Sequence, residues 1–342
     1  MRAGLILVGG SARPQVELAR RAEEAGFASV WSAEFWNQHP YAVLGAIAEA
    51  TERIGIGTAI ANAFTRSPVV HATAALDLDE LSGGRMTLGL GSGTSRMNEE
   101  WYGVPFSRPA ARMEECVRLL RALFAAKERV GFRFEGKFYD IKIPLFTRPG
   151  APRAHVPILV AAVNRRMVET AGTVADGLVG HPIASRRFHR ERTLPWLRAA
   201  EAAAERPAGA CRLVPYVMTS IQADRDLARR DARAQIGFYA SVSVYRSLLE
   251  LHGCGEVADA CRAALARFDL RGLADAVPDA LVDEIAIAGT PDEARERLDG
   301  WRDLTDEPLL YAPTAGVPPE RVRSNLDAIL ALFATKARGA RP

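Results

Sequence analysis

The sequence predicts an α/β fold, a (β/α)8 TIM barrel with a β-hairpin insertion and a helical insertion. Three observations lead there. Short, continuously apolar runs alternate with amphipathic helical stretches along the whole chain. Such runs suit strands buried on both faces, as in parallel sheets. The alternation yields eight strand–helix units, which favour closure into a barrel; an open doubly wound sheet is the structural alternative. Finally, 342 residues with 48% hydrophobic content accommodate one barrel of about 250 residues plus excursions. The expected organisation is a single domain over 1–342, with insertions at about 127–150 and 224–280.

The first strand is read at Leu5-Ile6-Leu7-Val8, closed by Gly9-Gly10. A helix follows, with Val16, Ala19, Ala22 and Ala25 near one face and Gly26 at its C-terminal cap. Ala28–Ser32, Ile54–Ile60 and Met86–Leu90 are the next three strands. Helices over Ala42–Ala50 and Pro68–Leu81 separate them. Met113, Cys116, Val117, Leu120, Leu123 and Phe124 form one apolar stripe at helical spacing. Phe132–Phe146 then alternates apolar and polar residues around Glu135-Gly136-Lys137, which predicts the hairpin. The βα rhythm resumes with strands at Ile158–Ala161, Gly177–Val179 and Leu213–Ile221 and helices at Arg165–Thr173 and Ser185–Ala204. Asp224–Phe268 reads as helical throughout. Thr290-Pro291-Asp292-Glu293 combines a capping box with proline at the first helical position. Leu309–Tyr311 is the last strand and Pro318–Phe333 the closing helix.

Composition excludes several classes. A net charge of +3 gives no reason to expect a nucleic-acid or membrane surface. The four cysteines are scattered without zinc-ligand spacing, so no metal is expected and the thiols read as reduced. The apolar N-terminal run is too short for a signal peptide, and no stretch reaches the about 18 residues of a membrane span. A cytoplasmic enzyme acting on a small molecule is expected.

In barrels of this kind the reactive groups follow the strands. Strand 2 ends at Ser32-Ala33-Glu34-Phe35-Trp36, and strand 3 at Ala59-Ile60-Ala61-Asn62 with Phe64-Thr65-Arg66 beyond. Strand 4 ends at Gly91-Ser92-Gly93, with Asn98 further on. Strand 5 ends at Ala162-Val163-Asn164 and strand 6 at Gly180-His181-Pro182. Each segment alone also reads as ordinary turn chemistry. Asn164 is a candidate N-cap for the helix opening at Arg165, where free N–H groups and the helix dipole suit a phosphate. Arg186 and Arg187 would add a cationic rim, or form a solvated helix face. The Gly89-Leu90-Gly91-Ser92-Gly93 run lacks dinucleotide spacing and is read as room for a flat ring against the backbone. Trp31, Trp36, Phe64, Trp101 and Tyr102 are candidates to line a substrate pocket.

Several of these residues together resemble the bacterial-luciferase-like superfamily. They are Asn62-Ala63-Phe64-Thr65-Arg66-Ser67-Pro68, Leu78-Asp79-Glu80-Leu81-Ser82-Gly83-Gly84-Arg85 and Leu88-Gly89-Leu90-Gly91-Ser92-Gly93, with Ala175-Asp176-Gly177 and Gly180-His181-Pro182. The first segment is most similar to the F420-dependent branch that includes methylene-tetrahydromethanopterin reductase. The resemblance implies a homodimeric, hydride-transferring oxidoreductase holding F420 in the barrel mouth. It implies a cis peptide at Ala59–Ile60 behind the ring, and ring contacts from Glu34 and Asn98. Asn62, Gly91, Ser92 and Gly93 belong to the same group. Ala162, Val163, Asn164, Arg165, Gly180, His181 and Pro182 would hold the phosphate. Glu34 and His181 are the titratable residues expected to act in catalysis. Phe35 stands where alcohol- and sugar-phosphate-oxidising relatives carry histidine, which argues against those substrates. Gly9-Gly10-Ser11 replaces the carboxylates of pterin reductases. Two other readings keep the fold: an FMN-dependent monooxygenase using reduced flavin and oxygen, and a non-catalytic flavin-binding barrel.

Overall fold

The computed structural model describes residues 2–8, 11–126, 131–145 and 155–339. Eight parallel strands make the barrel: β1 (Gly4–Leu7), β2 (Ser29–Ser32), β3 (Gly55–Thr58), β4 (Met86–Gly91), β5 (Ile158–Ala161), β6 (Gly177–Val179), β7 (Arg212–Val214 and Tyr216–Ile221) and β8 (Leu309–Tyr311). They pair in chain order, and β8 pairs with β1 through Gly4↔Leu309. Pro215 interrupts β7. The part before it pairs with β6 and the part after it with β8, which closes the ring.

The strands are buried on both faces, as their continuous apolar runs predict. Ile6, Trp31, Leu159, Val214 and Leu309 fill the barrel, while their neighbours Leu5, Leu7, Val30, Ile158 and Val160 face the helices. Trp31 belongs to this interior, and the cavity it borders lies at the opposite end of the barrel from the mouth, among Arg2, Arg212 and Glu307. Trp31 is 1% exposed and its indole N–H donates to Ser29 Oγ at 2.7 Å. Its ring lies where a β-carbon on Gly57 would come within 2.4 Å.

The helical punctuation follows local chemistry. Gly26 ends the helix Ala12–Ala25 at φ +89°, its N–H returning to Ala22 and Glu23 carbonyls, as a left-handed C-terminal cap requires. The capping box of Thr290 and Glu293 opens the helix Pro291–Asp299. The apolar stripe from Met113 to Phe124 is buried on the helix Pro109–Ala125. Phe132–Glu135 and Asp140–Ile143 form the expected hairpin; Phe146 lies outside the described residues. Helices fill the expected insertion from Arg225 to Ile285. Among the described residues two strands escaped the sequence reading: Ala61–Asn62 pairs with Leu90 and Gly91 of β4, and Ile287–Gly289 with the last three residues of β7. Two or three residues are too few to show periodicity.

The Leu78–Arg85 block, the most specific part of the resemblance, is a scaffold at the other end of the barrel. Arg85 donates to the carbonyls of Ala48, Thr51, Ile54 and Ser82 at 2.6–2.9 Å. It therefore satisfies the end of the helix Pro40–Ala50 and ties it to the turn before β4.

Candidate active site

At the C-terminal ends of β2, β3 and β4 one buried ion pair organises the barrel mouth. Glu34 follows β2, and its side chain is only 3% exposed. Its two oxygens accept from the Arg66 guanidinium at 2.7 and 2.8 Å, and Oε2 also accepts from Asn62 N–H at 2.9 Å. Burial alone would lower the Arg66 pKa, but the Glu34 carboxylate raises it above its ordinary value. The pair is bidentate and doubly charged, the geometry in which arginine binds carboxylate best.

The same residues fix the chain after β3. The Ala59–Ile60 peptide is cis. The Ile60 carbonyl accepts from Glu34 N–H at 3.0 Å, Ala59 N–H donates to Ser32 O at 2.9 Å, and the Ala59 carbonyl accepts from Tyr216 O–H at 3.1 Å. Groups from β2 and β7 thus hold the segment from both sides of the barrel.

This segment, and not a ligand ring, explains the first two glycines expected to make room at β4. A β-carbon on Gly89 would lie 2.0 Å from Thr58 O, and one on Gly91 2.7 Å from the Ile60 side chain. Replacing Gly89 by alanine should therefore cost about 1–3 kcal/mol, because backbone must move to admit it. A urea denaturation midpoint unchanged from that of the parent protein would contradict this.

Asn62 and Asn98 shape the loop after β4. Asn98 is fully buried, and its amide donates to the Ser92 and Thr94 carbonyls at 2.7 and 2.8 Å. Its contacts are with this loop. Asn62 Oδ1 accepts from Phe64 N–H at 3.0 Å, and its amide reaches Asn98 at 3.4 Å. Gly93 sits at φ +63°, where a β-carbon would lie 3.1 Å from both amides. Ser92 donates to the Gly93 carbonyl and stays partly exposed.

Across the mouth, the ends of β5 and β6 differ from expectation in charge. Asn164 is the N-cap of the helix Arg165–Val174, but its side chain makes no capping hydrogen bond. The N–H groups of Met167 and Val168 return to the Asn164 carbonyl, which leaves those of Arg165 and Arg166 for a ligand. Arg165 pairs with Glu169 at 2.7 Å. Ala162 N–H is engaged by Val179 O, and Gly180 N–H by Val214 O. Gly180 makes room for the His189 ring, 2.7 Å from where its β-carbon would be. Val163 is partly exposed and Pro182 buried. The expected cationic rim does not form: Arg186 and Arg190 both pair with Asp303, and Arg187 with Glu191.

His181 ends up in an aromatic wall. Its ring stacks on Tyr245, with centroids 4.0 Å apart, and meets Tyr239 edge-on at 4.8 Å. Burial pushes its pKa down to about 3, so the imidazole is neutral in ordinary buffers. Tyr239 donates to Tyr311 O–H at 3.1 Å, and Tyr311 packs on Tyr216 at 5.3 Å. Sequence reasoning missed these four tyrosines, because nothing local distinguishes them from core aromatics. It also quoted Arg66 without assigning it a role, although Arg66 lies in the matching segment. Trp36 and Trp101 stack edge to face at the outer rim and are 68% and 43% exposed.

A family model for the luciferase-like monooxygenases matches residues 2–307. The chain belongs to the luciferase-like monooxygenase family. Among luciferase-like relatives, the 5,10-methylenetetrahydromethanopterin reductase of Archaeoglobus fulgidus is 30% identical over 284 residues, covering 81% of this chain and 82% of that one. A Mycobacterium tuberculosis protein assigned by name to the coenzyme F420-dependent oxidoreductases is 29% identical over 333 residues, 88% and 92% of the two chains. The F420-dependent tetrahydromethanopterin reductase structure from Methanopyrus kandleri superposes with a TM-score of 0.83 at 22% identity, over 98% of this chain and 99% of that one. That superposition establishes the luciferase-like barrel for this protein.

Proposed function

We propose that this luciferase-like protein is an F420-dependent oxidoreductase that moves a hydride between the deazaflavin and a small organic substrate. The observation that carries the reading is the segment after β3, locked by Glu34, Arg66 and Tyr216 between a polar wall and an aromatic wall. The residues fit a flat ring bearing one anionic group. Ala59, Ile60, Ser92 and Gly93 give small or apolar surface for the ring, and the uncapped helix end at Asn164 and Arg165 gives N–H donors for a phosphate. The relative assigned to F420 supports the choice of cofactor. Bound there, the deazaflavin supplies a hydride at its C5 carbon.

The chain's own part is to position the ring and substrate and keep water out. Glu34, with both oxygens taken by Arg66 and Asn62, acts as a positioning residue for the strand ends. The reading includes a cytoplasmic location and a homodimer, and exposed Val70 and Leu81 on the helix Pro68–Leu81 offer the apolar surface that a second copy would cover. Among the described residues no helix is long and apolar enough to cross a membrane.

Titration of the purified protein with F420 and with FMN, followed by fluorescence and absorbance, tests the assignment. F420 should bind below about 100 μM, equivalent to about 5.5 kcal/mol, and more tightly than FMN. Preference for FMN with substrate-dependent oxygen uptake would move the protein to the monooxygenases. Binding of neither overturns the reading.

A further inference from the structure

The aromatic wall holds two neutral hydrogen-bond donors side by side. Ile183 N–H donates to His181 Nδ1 at 3.3 Å, which leaves the imidazole proton on Nε2. The Nε2–H and the Tyr245 hydroxyl have no hydrogen-bond partner among the described residues, and the two rings stack at 4.0 Å. The wall connects to the segment after β3 through an unbroken series of contacts: Ala59 O to Tyr216, Tyr216 to Tyr311, Tyr311 to Tyr239, and Tyr239 to His181. No carboxylate or cation is among the groups that perturb His181 or Tyr245. Of the charged side chains nearest the mouth, Glu34 and Arg66 neutralise one another.

We propose that His181 and Tyr245 together grip the carbonyl oxygen of an uncharged substrate, so that the acceptor class is a neutral enone, reduced at its C=C bond. The assignment rests on the F420 reading above, because reduced deazaflavin is the reductant it needs. A neutral wall offers no counter-charge to a carboxylate or phosphate on the substrate, so burying one there would cost desolvation. Two donors carried on stacked rings suit a carbonyl oxygen on which charge develops during enone reduction. A neutral imidazole can fill that role as a donor without being an acid. For an enone, the hydride forms a C–H bond at the β-carbon. The C=C π bond breaks, and its electron pair moves through the conjugated system onto the carbonyl oxygen. The resulting enolate takes a proton from solvent at the α-carbon. The substrate gains two electrons and the deazaflavin loses two.

The test uses 2-cyclohexen-1-one carrying ¹³C at the carbonyl, with infrared difference spectra of the cofactor-free protein. In the parent protein the bound carbonyl band should fall below its position in an aprotic solvent. Tyr245→Phe, which keeps the ring stack, should return it part of the way; Tyr245→Phe with His181→Leu should return it fully. With F420 supplied, Tyr245→Phe should lower kcat for the enone at least tenfold while F420 affinity changes less than twofold. A carbonyl band identical in the parent and the double variant overturns the proposal, as does an enone that fails to saturate the parent protein. Thermal unfolding within a few degrees of the parent confirms that Tyr245→Phe is folded. Failure of F420 to bind the parent protein counts against the cofactor reading alone, because the carbonyl band is measured without it.

Discussion

Replacing Arg66 with methionine should lower the free energy of unfolding by about 3–5 kcal/mol, the usual cost of stranding one member of a buried ion pair. Glu34 would keep one backbone donor, Asn62 N–H, and lose both guanidinium contacts. At 3% exposure water cannot replace them. The carboxyl must then stay charged without a partner or take up a proton, and either outcome costs stability near neutral pH. Lysine in place of Arg66 should recover only part of the loss, because a point charge cannot satisfy both oxygens. Combining Glu34→Gln with Arg66→Met should recover more, since no buried charge remains. Urea denaturation of the three variants measures this. A loss below about 1 kcal/mol for Arg66→Met would show the pair behaving as a solvated surface bridge. Since the pair also orders the strand ends, F420 affinity should fall with stability in Arg66→Met.

The second large effect is on pH. Lowering the pH from 7 to 5 should cost about 4 kcal/mol through two histidines outside the aromatic wall, His71 and His189, and His181 adds to that loss in the same direction. His71 and His189 are both buried. Burial, reinforced by the Arg66 charge, pushes the His71 pKa to about 3, and burial pushes that of His189 to about 4. An unfolded imidazole titrates near 6.5. Between pH 6.5 and the folded values the unfolded chain binds the extra protons, so stability falls as pH falls. At pH 5 the unfolded state has gained about 1.5 pH units of protonation free energy at each site, about 2 kcal/mol apiece. The carboxylates held below their ordinary range, Glu23, Glu201 and Asp283, add their own loss only nearer pH 4, where unfolded acids protonate. Urea midpoints at pH 7, 6 and 5 separate the two windows. A flat profile down to pH 5 would mean that His71 and His189 find water or a counter-charge in the folded protein.

Local pattern determined much of this protein. Apolar runs, helical stripes and caps located all eight barrel strands, because backbone hydrogen bonding and burial act over a few residues. The same segments placed Glu34 beside the segment after β3 and Asn164 at a helix start. What local pattern left open was which groups share an environment. Arg186 and Arg187 read as a possible anion rim, yet Asp303, more than a hundred residues later in the chain, takes Arg186, and Glu191 takes Arg187. Gly89 and Gly91 looked like room for a ring, and the fold fills that room with Thr58 and Ile60. His181 was visible as a titratable residue, but its neutrality comes from burial beside Tyr239 and Tyr245, carried on the helical insertion. Residue type records what a side chain can do; charge state and pairing depend on dielectric and neighbours, and those only the closed barrel supplies.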